Sequence, residues 1–396
     1  MIRILSYEEH PQGKAILDRY LYLAAYVLPF ASEDVLDGDK IEVDGVVYTA
    51  QNFKKLSKKR ARRRVNGYNA LLNSRGIPNA AGYPRSKSEQ DQLLAAKLIW
   101  SASTALYQYL YRTQDPSVEP AILPLIRRDN LRRLLVSKMD TLDSGLERIK
   151  IANKNAGKLL LNEVFRYDAF SNNDHAANLL ETMDVKVCPY CNRLYTVTLT
   201  GKSGKSRAQF DHYKNKSQYP HFAVSLMNLV PSCGLCNHSK GNKGKPVLYP
   251  YSDEMGLNAV FRTKPKAGLG YLTGNQESLD EFSVELQFAD GLPKELSDKI
   301  RNSDELFNLT RLYNHHKDYI LYLFWKNYVF SKEYLEELCE EYPEVFHSFE
   351  DAKSIMYLMD ISQAQWGRRS LGKLTHDVDM EISENSYPAL HLHRKK

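Results

Sequence analysis

Apolar side chains recur at helical spacing through "AILDRYLYLAAYVL" (15–28) and "LLAAKLIWSASTALYQYLYR" (93–112), which predicts amphipathic helices there. Between them "KIEVDGVVYTA" (40–50) alternates apolar and polar positions on either side of Asp44-Gly45, the pattern of a tight β-hairpin. The pattern changes over 183–252, where short β runs, "LYTVTL" and "AQFDHY", stand between turns and paired cysteines. Loop and strand are expected over 264–293. From about Ser297 helical rhythm returns, in "RLYNHHKDYILYLFWKNYVF" and "SKEYLEELCEEYPEVFHSFEDAKSIMYLM". The division is a mainly helical part with a hairpin and a basic run (1–182), a small β/α core (183–252), and a loop/strand segment followed by helices (253–396). The fold class is α+β.

Composition narrows the partners only a little. The 396 residues are 43% hydrophobic, enough for a sizeable core, and the net charge of +6 suits a nucleic-acid partner without requiring one. Most of the local basicity lies in "KKLSKKRARRR" (54–64), where Lys58, Lys59, Arg60, Arg62, Arg63 and Arg64 are candidates for phosphate contact; a solvated helix face is the competing reading. Residues 73–90, rich in Gly, Pro and Ser, form a connection. No run approaches the ~20 apolar residues of a membrane span. The opening "MIRILSYEEHPQGK" lacks a signal-peptide layout, so a soluble cytoplasmic protein is expected.

"LTGKSGKSRAQFDHYKNKSQYP" (199–220) invites a phosphate-loop reading that counting rejects. A Walker A loop needs a glycine five residues before the glycine of GKS, and those places hold Leu199 and Thr196. The doubled GKS is therefore expected to be a basic turn between two strands.

In a reducing compartment, closely spaced cysteines read as metal ligands. Cys188 and Cys191 form one C-x-x-C pair, Cys233 and Cys236 another, with 41 residues between them. Two such pairs make a tetrahedral thiolate site for one structural Zn²⁺, and the long spacing implies a structural unit between them. Cys339, alone on a helical pattern, reads as a buried small side chain. The insert carries Asp211-His212 at the end of "AQFDHY", Asn228 in "LMNLVPSC", and Asn237 directly after Cys236. Neighbours on a strand point to opposite faces, so one member of the doublet can hold a cation while the other faces a water. "NHSKGNKGK" is expected to start a basic helix, with Asn237 able to offer a second oxygen to a hard cation. Lys240, Lys243 and Lys245 are candidate phosphate contacts, or simply solvated. His238 reads as a surface residue or a substitute ligand, while His221 and the His315-His316 pair have no persuasive partner spacing.

In order and spacing, "CPYC … FDHY … NLVPSC … CN" resembles the zinc-stapled form of the ββα-metal, or HNH, nucleases. The last histidine of that family's pattern is replaced by Asn237, as in sites of the endonuclease VII type. The segments "CPYCNRLY", "DHYKNKSQYP" and "NLVPSCGLCNHSKG" are similar to bacterial anti-phage HNH nucleases. "LYNHHKDY … GRRSLGKLTHD" faintly resembles the PtuB-like nuclease subunit of Septu systems. Those proteins commonly carry Pro where this chain has Asn215, a change expected to loosen the loop. The likeness covers about 70 of the 396 residues.

The resemblance implies a DNA-cutting phosphodiesterase. His212 would be general base, Asp211 and Asn237 would hold one Mg²⁺ or Mn²⁺, and Asn228 would fix the loop and orient the His212 imidazole. The four cysteines would bind structural zinc. It also implies an ATPase or sensor subunit encoded nearby. Two competing expectations are a non-catalytic zinc module that binds nucleic acid or protein, and an RNA-directed nuclease toxin.

Overall fold

The computed structural model describes residues 1–28, 32–53, 128–142, 161, 165–201 and 204–385. The basic run at 54–64, the connection at 73–90 and the expected helix at 93–112 lie outside the described residues.

Helix α1 (Gly13–Val27) buries Ile16, Tyr20, Leu21, Leu23, Ala24 and Val27 along one side, and stops ahead of Pro29. Short α2 (Ser32–Leu36) leads into β1 (Ile41–Val43) and β2 (Val46–Tyr48), paired antiparallel with Val43 opposite Val46. Asp44 and Gly45 both take positive φ, 52° and 75°, as a two-residue hairpin turn with the strands' own twist requires. Helix α3 (Arg128–Val136) packs on α2, and α4 (Tyr167–Ser171) precedes α5 (Asp174–Met183), whose N-cap is Asn173.

In the middle, β3 (Leu199–Gly201) and β4 (Gly204–Ser206) pair antiparallel with Gly201 opposite Gly204, so strands flank the GKSGKS stretch; Lys202 and Ser203, where the turn was expected, lie outside the described residues. Of "LYTVTL" only its last residue, Leu199, is in a strand; earlier, Tyr195 makes an isolated bridge to Val187. Strand β5 (Gln209–His212) pairs antiparallel with β6 (Leu229–Ser232), with Asp211 opposite Val230 and His212 opposite Leu229. Helix α6 (Gly234–Lys240) follows at once and packs on β5. It begins earlier than expected and ends where basic helix was expected to run on, at Gly241 with φ +46°.

Strands β7 (Ala259–Pro265) and β8 (Phe282–Phe288) form the longest pairing, seven residues each. Among the described residues all sheets are two-stranded, so every strand has an edge to satisfy. Helix-borne side chains do this for β7 and β8. Helices α7 (Lys294–Phe307), α8 (Leu309–Asn314), α9 (Lys317–Val329), α10 (Lys332–Glu341), α11 (Phe349–Tyr357) and α12 (Gly372–Asn385) complete the chain. Asp377 and Glu381, one turn apart on α12, accept from the Phe261 and Thr263 N–H groups at 2.9 and 3.0 Å. Asn314 accepts from Val284 N–H at 2.9 Å and donates to its carbonyl at 2.8 Å. Both long C-terminal patterns are thus divided in two. One breaks at His315-His316, the other between Glu341 and Phe349, where Ser348 caps α11 by accepting from Asp351 N–H at 3.1 Å.

One contiguous apolar core draws on all three parts of the chain. Main-chain bonds tie the N-terminal segment onto the middle, from Ile2 N–H to Pro189 O (2.9 Å) and from Ile4 N–H to Pro250 O (2.8 Å). The Tyr20 hydroxyl donates to Val224 O at 2.7 Å, and from the other side the Tyr313 hydroxyl donates to Cys191 O at 2.8 Å. Among the described residues no helix is long and apolar enough to cross a membrane.

Candidate functional site

The two C-x-x-C pairs meet. Cys188, Cys191, Cys233 and Cys236 are buried free thiols whose sulfur atoms all lie within 4.8 Å of one another. Zn–S bonds of about 2.3 Å place tetrahedral sulfurs roughly 3.8 Å apart. Cys191 and Cys233 already stand at 4.0 Å, so the cluster can hold a metal ion. The first turn is closed by Asn192 N–H donating to Cys188 O at 2.8 Å, with Asn192 at φ 51°, a conformation Asn tolerates better than most residues. The Cys233 sulfur also caps α6 by accepting from Cys236 N–H.

Asn192 was not singled out from the sequence. It is fully buried, its amide donates to Trp366 O at 2.8 Å, and its side-chain oxygen accepts from Lys373 N–H at 2.9 Å. It thereby fastens the first cysteine turn to the start of α12. His316 also has a partner: Arg193, two residues after Cys191, donates to its Nε2 at 2.8 Å. Cys339 is half-buried against the core, with its thiol directed at Ser348 O.

The strand β5 splits the Asp-His doublet between its two faces. Gln209 and Asp211 face α6. On that helix Asn237 and Lys240, three residues apart, meet them in matching order: the Asn237 amide donates to Gln209 Oε1 at 2.7 Å, and the Lys240 ammonium pairs with Asp211 at 2.9 Å. Tyr190, between the first two cysteines, donates its hydroxyl to Asp211 Oδ2 at 2.6 Å. The Lys240 ammonium also bonds the His212 carbonyl. Asp211 and Lys240 are each only 3% exposed.

These placements change two expectations. Lys240 is not a surface phosphate contact but the buried counter-ion of Asp211. The bond Asn237 makes goes to Gln209 rather than toward Asp211. It opens instead on a cleft of about 470 Å³ shared with Tyr167, Ser171, Arg207 and Gln209. Lys243 and His238 are exposed, and Lys245 pairs with Glu305 at 2.7 Å.

His212 lies on the opposite face, 7% exposed, with the Tyr167 ring edge-on at a centroid distance of 4.6 Å. The Lys216 ammonium sits 4.0 Å from the centre of that tyrosine ring. Its Nε2 lies 2.9 Å from Ala223 O. A carbonyl only accepts, so Nε2 carries the proton, and in the neutral ring Nδ1 bears the lone pair. Burial first, and then the Lys216 ammonium, push its pKa down to about 3, so the ring is neutral near pH 7.

Asn228 does not touch the imidazole. Its amide donates to Lys214 O (3.1 Å) and Phe222 O (2.9 Å) and accepts from Lys214 N–H (2.7 Å), closing the loop between β5 and β6. Its influence on His212 runs through that loop, since Ala223 follows Phe222. Nor is the loop loosened at Asn215. That side chain is buried, donates to Asn242 Oδ1 at 2.8 Å and accepts from Ser217 N–H at 2.9 Å, tying the loop to the chain beyond α6.

No protein-family model matches this chain, and neither a curated protein nor a solved structure does.

Proposed function

We propose that the chain is a metal-dependent HNH-type endonuclease that hydrolyses phosphodiester bonds of DNA. The observation that carries this reading is the unit of strand, closed loop, strand and helix that holds His212 neutral with its Nε2 on the Ala223 carbonyl. An imidazole so held keeps a proton-accepting Nδ1 in fixed orientation, which is what a general base toward water needs. The four cysteines would hold one Zn²⁺ as a structural staple, and with four protein ligands that ion would not reach substrate. Asp211, with Asn237 once it leaves Gln209, would hold Mg²⁺ or Mn²⁺, which when bound supplies positive charge to the phosphate and the leaving oxygen. Asn228 is a positioning residue. Exposed Lys243 and the basic run at 54–64 supply sequence-independent attraction to the nucleic-acid backbone. A cytoplasmic role in anti-phage defence, with an ATPase or sensor subunit as trigger, is supported by the sequence likeness alone.

Plasmid and single-stranded DNA cleavage by wild type and His212→Ala, with Mg²⁺, Mn²⁺ or EDTA and zinc content assayed alongside, tests the reading. Metal-dependent cutting that the variant loses at unchanged zinc is the expected result. Equal cutting by both proteins would remove His212 from the chemistry. A second reading, a non-catalytic zinc module, is favoured by the seating of Lys240 on Asp211 and of Tyr167 on His212. It predicts nucleic-acid or protein binding without cleavage under any metal.

A further inference from the structure

The reading of Asp211 as a cation ligand meets an obstacle in the chain itself: a cation is already there. Both Asp211 oxygens lie close to the Lys240 ammonium, at 2.9 and 3.2 Å, and the His212 carbonyl contributes a third oxygen to the same nitrogen. Carboxylate and carbonyl oxygens are the donors that hard divalent cations take, so the oxygen set fits such an ion, and the ammonium stands in its place. A divalent ion on either carboxylate oxygen would lie within a few ångströms of the ammonium. With both residues 3% exposed, little water is present to screen that repulsion.

The seat is built rather than incidental. Asn237 and Lys240 share one face of α6, Gln209 and Asp211 share one face of β5, and the two pairs lock in register. Lys240 is also the last residue of its helix, followed by Gly241 at φ +46° and an exposed stretch through Pro246. The side chain is therefore anchored at the point where the helix ends.

Resting on the proposed function, we infer that Lys240 is an internal competitor for the catalytic cation: its ammonium holds Asp211 at rest, and the divalent ion binds only when that ammonium leaves. Apparent cation affinity is then lowered by the fraction of molecules in which Lys240 remains seated. Lys240 becomes a control on metal loading, and phosphate contact is not its resting role.

The test is Mn²⁺ binding followed by electron paramagnetic resonance on the zinc-loaded full chain. Wild type, Lys240→Met and the double variant Lys240→Met/Asp211→Asn are compared, with zinc content measured in each. Lys240→Met should bind Mn²⁺ tighter than wild type by about tenfold or more, and the double variant should lose that binding. Equal affinity in wild type and Lys240→Met overturns the competition while leaving Asp211 as a ligand. No Asp211-dependent Mn²⁺ in either protein overturns the competition together with the cation role of Asp211; DNA cleavage by wild type then judges the nuclease reading separately. Should Lys240→Met fail to fold, amine labelling of wild type read by mass spectrometry decides. Lys240 is expected to resist acetylation without Mn²⁺ and to be acetylated at Mn²⁺ levels that saturate the resonance signal. Protection unchanged by saturating Mn²⁺ overturns the inference.

Discussion

At the scale of single residues, His212 ties its proposed chemical role to a stability cost. Its folded pKa of about 3 lies below the ~6.5 of an unfolded histidine. As pH falls through that window the unfolded chain gains a proton that the folded chain does not. Stability from this group is therefore intact above about pH 7 and is lost progressively toward pH 3, with a slope of at most about 1.4 kcal/mol per pH unit. His212→Gln should flatten that slope. Urea midpoints for both proteins at about pH 7 and about pH 5 check it, and parallel pH dependences would sink the assignment. The doublet and the cysteine spacing were legible because adjacent strand residues and C-x-x-C turns are local patterns. Tyr190 and Lys240 were not legible as partners of Asp211, being 21 and 29 positions away and brought to it only by the fold.

Among elements, the loop between β5 and β6 depends most on one side chain. Asn228 satisfies three main-chain groups at once; its removal takes this partner from the half-buried Lys214 N–H and carbonyl, while the Phe222 carbonyl keeps Ser225 N–H at 3.1 Å. Asn228→Ala should lower unfolding free energy by about 2 kcal/mol without loss of zinc, since the thiols lie elsewhere. Urea denaturation with a zinc assay measures both; a change under ~0.5 kcal/mol would mean that water replaces the amide. The Asp44-Gly45 hairpin was readable because its turn requires positive φ at both central positions, which that dipeptide accepts. The start of α6 was misplaced because its cap is a thiol, and capping patterns are recognised by Ser, Thr, Asp and Asn. The breaks at His315-His316 and after Glu341 also escaped, as the apolar rhythm runs on across them.

Over the whole molecule, the cysteine-bearing middle is held from both sides. Its first turn borrows bonds from Tyr313, Trp366, Leu371 and Lys373, and the segment from Ile2 to Ile4 hydrogen-bonds to Pro189 and Pro250. Zinc alone should therefore not fold residues 183–252. Circular dichroism and chemical-shift dispersion of that fragment with one equivalent of Zn²⁺ should show no cooperative melt, and a sharp zinc-dependent transition would contradict this.

The carboxylates of α12 and the amide of Asn314 on the edges of the β7–β8 pair have one more consequence. Many proteins recruit extended peptides by offering a bare strand edge to them. Here the Phe261 and Thr263 donors on one edge, and both main-chain groups of Val284 on the other, are already engaged by side chains of the same chain. An extended peptide gains nothing at those positions unless it first displaces Asp377, Glu381 or Asn314. A partner of this protein must therefore read its side-chain relief rather than lengthen its sheet there, and the same plugs keep two copies from zipping together along that pair of strands.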